Sequence, residues 1–141
     1  MSGIRLATPR DKTRIQELLR QLGYATPEKT LESTLTQILK HPDAFTLVYE
    51  KNQKVIAVLS MHFIPQLALE GAFARISYFV VDEAFRGQSI GKEMEAFCQE
   101  EARKRGCDRI EVHCHQRRTA AHHFYETCGY EESPKYYTKQ L

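Results

Sequence analysis

Long apolar runs are missing from this sequence. No stretch approaches the ~20 residues that a membrane-spanning helix needs, and the start, Met1-Ser2-Gly3-Ile4-Arg5, has no apolar core of a secretory leader. An excess of one charge is missing too. Twenty Lys and Arg against 18 Asp and Glu leave a net charge of +2, so composition argues for neither a nucleic-acid partner nor a membrane partner. The four cysteines, Cys98, Cys107, Cys114 and Cys128, form no Cys-x-x-Cys pair. A chain of 141 residues builds a core without disulfide staples, so reduced thiols and a cytoplasmic location are expected. Repeats, linkers and low-complexity segments are absent as well, and one domain over residues 1–141 is expected.

What is present is a regular succession of patterns. Ile4-Arg5-Leu6-Ala7 reads as a short strand. Thr8-Pro9-Arg10-Asp11 is a helix start, with Thr8 as N-cap, Pro9 at the first helical position and Asp11 favourable to the dipole. Ile15, Leu18, Leu19 and Leu22 make one apolar stripe that Gly23 ends. Thr26-Pro27 repeats the start signal, and Leu31, Leu35, Ile38 and Leu39 give a second amphipathic helix ending near His41-Pro42. Phe45–Glu50 and Val55–Phe63 are β-rich and flank Lys51-Asn52-Gln53-Lys54, which predicts a hairpin. After a connection over 65–71, Ala74–Val81 is the next strand. A helix from Ile90 places Met94, Phe97, Cys98 and Ala102 on its inner face and stops at Gly106. Arg109–His115 reads as a strand. Thr119 caps a helix with Ala121, Phe124, Tyr125 and Cys128 inward, closed by Gly129, and Tyr136-Tyr137-Thr138 is expected to be a final strand. The order β-α-α-β-β-β-α-β-α-β predicts an α/β or α+β fold: a mixed sheet flanked by helices.

The chain is organised around Tyr78–Lys92, a buried strand, a Gly-bearing turn and a helix start. Such a junction aims unpaired backbone N–H groups at the positive end of a helix dipole, where a phosphate anion is held well. Gly87 and Gly91 let a ligand approach the main chain, and Arg86 and Lys92 add positive charge. A plain helix start is the alternative reading of the same residues. Arg86 to Gly91 resembles the acetyl-CoA-binding motif Arg/Gln-x-x-Gly-x-Gly/Ala of the GCN5-related N-acetyltransferase (GNAT) superfamily, with Ser89 in place of the middle Gly. The beginning, Ile4-Arg5-Leu6-Ala7-Thr8 with Asp11 and Ile15, is similar to that family's first strand and helix. Ala121-His122-His123-Phe124-Tyr125 with Gly129-Tyr130 resembles its Ala-x-x-Phe-Tyr-x-x-x-Gly-Phe/Tyr signature. The resemblance covers essentially the whole chain.

The resemblance implies acetyl-CoA as co-substrate and a small-molecule primary amine as acceptor, attacked directly in a ternary complex. It implies a cofactor site in two parts. The turn Arg86, Gly87, Gln88, Ser89, Ile90, Gly91 and Lys92 would hold the pyrophosphate. The strand Phe79, Val80 and Val81 would splay from the next strand and pair its free backbone groups with the pantetheine arm, one N–H polarising the acetyl carbonyl. Tyr125 matches the position whose phenol protonates the departing thiolate; without the resemblance it reads as a packed helix aromatic. Edge strands in this fold pair copies into dimers, so a homodimer is a further expectation.

The base is not legible by motif. Many relatives use an acidic residue on the strand before the turn, sometimes through water, whereas here that strand is Arg75-Ile76-Ser77-Tyr78-Phe79. Tyr78, His62, His113 and His115 are the substitutes, each with a strand-end alternative. His113-Cys114-His115 is not read as a metal site, because strand alternation turns Cys114 away from both imidazoles. Arg117 and Arg118 sit near the acceptor end, where they read either as a binding site for an acidic substrate group or as solvated charges. Arg118 occupies a place where relatives often carry a pantetheine-binding Asn. Gly129-Tyr130-Glu131-Glu132-Ser133 and Tyr137-Thr138-Lys139 are similar to small bacterial acetyltransferases of the aminoalkylphosphonate type, although the loop Ile64–Ala68 lacks their His-rich character. Two rival readings are a non-catalytic acyl-CoA-binding or regulatory domain and an acetyltransferase acting on a protein amine.

Overall fold

The computed structural model describes residues 3–114, 118–133 and 136–141. Among them, β1 (Gly3–Leu6), β2 (Ala44–Lys51), β3 (Lys54–Pro65), β4 (Ala72–Val81) and β5 (Cys107–Val112) form one sheet in the order β1-β2-β3-β4-β5. The first four strands are antiparallel neighbours and β5 runs parallel to β4. Lys51 pairs with Lys54, so the β2–β3 hairpin turns on two residues, Asn52 and Gln53. Both have positive φ, 51° and 65°, the backbone twist that a two-residue hairpin demands.

Alternation along the strands divides the core in two. Leu47, Leu59, Met61 and Ile76 face α3 (Ile90–Lys104), which brings Ile90, Met94, Cys98 and Ala102 against them. Val48, Val58 and Val80 face the other way, onto α1 (Lys12–Leu22) and α2 (Glu28–Lys40), which contribute Ile15, Leu18, Leu31 and Leu35. Each fully buried side chain of this kind contributes about 1.5–3 kcal/mol. Two β-bulges interrupt the alternation. The register passes from Tyr49↔Ala57 to Glu50↔Val55, leaving Ile56 as an extra residue on β3. It passes from Ser60↔Tyr78 to Met61↔Ile76, leaving Ser77 as an extra residue on β4. The second bulge resets the parity of the strand end. Tyr78 and Val80 consequently face the α1–α2 side, while Phe79 and Val81 pack toward α3.

The helix starts differ in detail from the sequence reading. Asp11 is buried; its carboxylate accepts the Thr8 N–H at 2.8 Å and two N–H groups of Arg5 at 2.8 and 2.9 Å. A 3₁₀ turn, Pro9–Asp11, therefore precedes α1. Pro27 rather than Thr26 takes the N-cap place of α2, its C=O accepting from Leu31 N–H at 3.0 Å.

Three expectations are corrected. Residues 136–141 carry no strand, and Tyr137 is almost fully exposed, so Tyr136-Tyr137-Thr138 finds no ladder partner among the described residues. β5 ends at Val112, short of His115. On α3, Phe97 is 39% exposed whereas Glu95 is buried. The inversion has a polar cause: the Glu95 carboxylate accepts from Tyr130 Oη at 3.1 Å and from Gln99 Nε2 at 3.0 Å.

Candidate active site

β4 pairs with β3 along its whole length, but with β5 only from Ala72↔Cys107 to Ile76↔Val112. β5 itself ends at Val112, so Ser77–Val81 have no ladder partner on the β5 side among the described residues. A cavity of about 820 Å³ opens there, walled by the β4 end, by the turn leading to α3 and by the start of α4 (Thr119–Thr127). Phe79, Val80, Val81, Arg86, Gly87, Ser89, Ile90, Gly91 and Lys92 all line it, as do Arg118 and Tyr125. Gln88 does not; its Oε1 accepts from Lys51 Nζ at 3.0 Å.

The turn is built as an anchored loop. Asp82 is buried, and its carboxylate accepts the Ala84 N–H at 3.0 Å and an Arg14 N–H at 2.8 Å. The Ala84 N–H and then Arg14 hold this carboxyl below the usual range, against the opposing effect of burial. Arg14 also donates to Val55 C=O at 2.8 Å, tying α1 to the sheet and to the turn at once. Arg86 Nε donates to Val81 C=O at 3.2 Å, which folds the turn back over the strand end. The first N–H groups of α3 lack intrahelical acceptors by construction and open toward the cavity.

Gly87 has φ +82° and Ser89 has φ +65°. A left-handed Ser costs about 1–2 kcal/mol that a Gly does not. Glycine in turn costs about 0.4–1 kcal/mol through the unfolded chain. Ser89→Gly is therefore expected to hold or slightly raise the melting temperature and to leave acetyl-CoA affinity unchanged; calorimetric titration and a thermal melt check both. Gly91 is favoured for a different reason. A Cβ there would lie 3.2 and 3.3 Å from two ring carbons of Phe124, so the glycine lets α4 close against α3. Phe124 also meets the Phe79 ring edge-on at 5.9 Å.

That packing sets Tyr125 in place. It is 9% exposed, with ring contacts to Phe124 at 5.3 Å and Tyr130 at 5.4 Å. Burial pushes its phenol well above the ordinary range, so it is protonated throughout neutral pH. Tyr130 in turn is fixed by Glu95, which sequence reasoning had missed; a lone Glu within an apolar helix face was its signal.

The remaining sequence candidates separate. Tyr78 faces a second recess of about 250 Å³, shared by α1, α2 and the sheet and lined by Leu19, Leu35, Thr46 and Ser60. Its ring meets Tyr24 edge-on at 5.3 Å. His62 Nε2 lies 3.0 Å from Ser77 Oγ, and burial, then His41 and Arg75, hold its imidazole below the ordinary value. His113 lies past the end of β5, stacked on Tyr136 at 4.1 Å. Arg118 lies on the cavity wall. Arg117 and His115 fall outside the described residues. Ser77 was missed; a serine within an aromatic and β-branched strand was the available signal.

Comparison with known proteins agrees with this fold. Residues 12–130 match the family described as Acetyltransferase (GNAT) family. An aminoalkylphosphonate N-acetyltransferase of Salmonella typhimurium is 34% identical over 91 residues, which cover 64% of this chain and 59% of that protein. A GNAT family acetyltransferase of Staphylococcus aureus superposes with a TM-score of 0.83 at 28% identity over the whole of both chains. A transcriptional regulator from Bacillus halodurans superposes with a TM-score of 0.91 at 24% identity, again over the whole of both. No helix among the described residues is long and apolar enough to cross a membrane.

Proposed function

The chain belongs to the GNAT family of acetyltransferases, the acetyl-CoA-dependent N-acetyltransferases, and from that premise we propose that it acetylates the primary amine of a small molecule by direct attack in a ternary complex. The observation that carries the proposal is the single cavity in which the free end of β4, the N-terminus of α3 and Tyr125 meet. Pyrophosphate at the first turn of α3 gains from the helix dipole and from Arg86 and Lys92 nearby. The pantetheine arm takes the place of a strand along Phe79–Val81, and a β4 N–H polarises the acetyl carbonyl. The neutral amine attacks the acetyl carbon and the C–S bond breaks. Tyr125 gives its proton to sulfur, and the tyrosinate is restored by the proton that the new amide nitrogen sheds. Retention of a buried, neutral Tyr125 favours this reading over a non-catalytic acyl-CoA-binding domain.

The acceptor is proposed to carry an acidic group. Arg118 on the cavity wall supports this, together with the aminoalkylphosphonate specificity in the name of the Salmonella relative. Release of free CoA thiol over an amine panel tests both levels. 3-Aminopropylphosphonate is expected to outperform propylamine about tenfold or more, and Arg118→Ala to erase that preference while acetyl-CoA affinity holds. Equal rates for the two amines in the parent would remove the acidic group from the proposal. No thiol release with any amine would remove the activity itself.

A further inference from the structure

We propose that Ser77 and His62 together are the proton acceptor for the incoming ammonium, with Ser77 touching the substrate nitrogen and His62 taking the proton through it. The inference rests on the acetyl-transfer reading above. An amine reaches the enzyme as an ammonium ion and has no lone pair until a proton leaves, yet the strand before the turn offers no carboxylate.

The fold puts a hydroxyl at the point where the β4–β5 ladder stops. Ser77 is the extra residue of the β4 bulge and the first residue past the last β4–β5 pair, Ile76↔Val112. It is exposed, and two residues further on, at Phe79, β4 begins to line the cofactor cavity. The bulge turns Ser77 toward His62 and Tyr78 toward the recess under α1 and α2. Tyr78 lines that recess and Phe79, the next residue, lines the cofactor cavity, so Ser77 lies on the strand just before the two cavities meet. A bulge serves here to re-aim side chains, as bulges beside sites do.

The hydrogen bonds allow a relay. Ser77 Oγ is 3.0 Å from His62 Nε2 and 3.2 Å from Ser60 C=O, so its single proton has two acceptors to choose between. With Nδ1 protonated, Nε2 is free to accept. Transfer breaks one N–H bond of the ammonium and forms O–H on Ser77, while the original Ser77 O–H breaks and N–H forms on Nε2. The products are a neutral amine and an imidazolium, and His62, half-buried, returns the proton to solvent. The charged neighbours suit a base that is neutral at rest. His41 after α2 and Arg75 across the β3–β4 ladder both disfavour a resting imidazolium, and Arg75 is itself held by Glu111 at 3.0 Å.

The test compares amines that need a base with isosteres that do not. 3-Aminopropylphosphonate is paired with (2-aminooxyethyl)phosphonate, and propylamine with O-ethylhydroxylamine; the oxygen-linked nitrogen is neutral at pH 7 and needs no deprotonation. Ser77→Ala and His62→Gln are expected to lower single-turnover rates with the alkylamines by about 10²–10⁴-fold. They should change the rates of the oxygen-linked isosteres less than tenfold, and acetyl-CoA affinity not at all. In the parent, kcat/KM for the alkylamines should rise with pH through the His62 titration and then level, while the isosteres show no such limb. An NMR titration of the histidines gives a readout without turnover: His62 should lose its proton below the ordinary imidazole range, and Ser77→Ala should perturb that midpoint. Equal losses for both members of a pair would make the two residues structural. Unchanged alkylamine rates, or a His62 still protonated at pH 8, would overturn the proposal.

Discussion

A Tyr125→Phe protein is expected to bind acetyl-CoA as the parent does and to transfer acetyl about 10²–10⁴-fold more slowly, the contribution of a positioned general acid. The substitution keeps the ring, so the edge contacts with Phe124 and Tyr130 and the burial of the side chain survive. What is lost is the hydroxyl on the cavity wall. Because burial raises the phenol, it is a weaker acid than a free tyrosine. In the proposed mechanism its proton leaves only as the C–S bond breaks and charge gathers on sulfur, and the tyrosinate is then reprotonated. For the same reason Tyr125 contributes no alkaline loss of activity near neutral pH. Single-turnover acetyl transfer is the measurement to use, since steady-state rates are open to limitation by product release. A thermal melt alongside it should show little change. Full single-turnover activity in the folded variant would reduce Tyr125 to a packing aromatic.

Local signals made most of the fold readable. The stripes of α1 and α2, the two-residue hairpin and the strand–turn–helix at Val81–Ile90 are each fixed by neighbours in sequence, through helical spacing, paired β-rich runs and turn glycines. The errors share one property: each was decided by a partner far along the chain. Glu95 is buried because Tyr130, 35 residues later, holds its carboxylate. Phe97, which periodicity turned inward, lies at the margin of the buried stripe that Met94, Cys98 and Ala102 form and is left partly exposed. The tail 136–138 has β-rich composition, but a strand needs a ladder partner and composition does not supply one.

The wall of the proposed cofactor cavity is largely contiguous in sequence: Phe79–Val81 and Phe85–Lys92, apart from Gln88, line it together with the start of α4. The β4 bulge was not legible, because bulges are invisible to alternation until the register is known. Ser77 reads as one more strand residue, and Ser60↔Tyr78 followed by Met61↔Ile76 is what reveals it as an insertion. The candidates also separate in space. Tyr78 and His62 face the α1–α2 side with Ser77, whereas His113 is taken up by its stack on Tyr136.

Gly91→Glu is expected to abolish measurable acetyl-CoA binding, and the structure supplies two separable reasons. The first is steric. A Cβ at this position would meet Phe124 ring carbons at 3.2 and 3.3 Å and a Phe79 ring carbon at 3.8 Å. Any side chain thus pushes the Phe124 ring, and with it the α4 wall of the cavity, outward by a few tenths of an ångström. The second is electrostatic. A carboxylate at the first turn of α3 opposes the helix dipole's attraction for phosphate. A unit charge about 4 Å from another, near a protein surface, is worth on the order of 4 kcal/mol, or about a thousandfold in affinity. Gly91→Ala isolates the first effect and should weaken binding by less than about tenfold. Gly91→Gln carries the bulk of Glu without its charge and should fall between the two. Calorimetric titration with acetyl-CoA, on proteins whose melts confirm folding, reads all three. The order Ala, Gln, Glu in rising loss supports an anion site at this turn. Equal losses for Gln and Glu would make Gly91 a packing glycine alone and move the pyrophosphate elsewhere on the cavity wall.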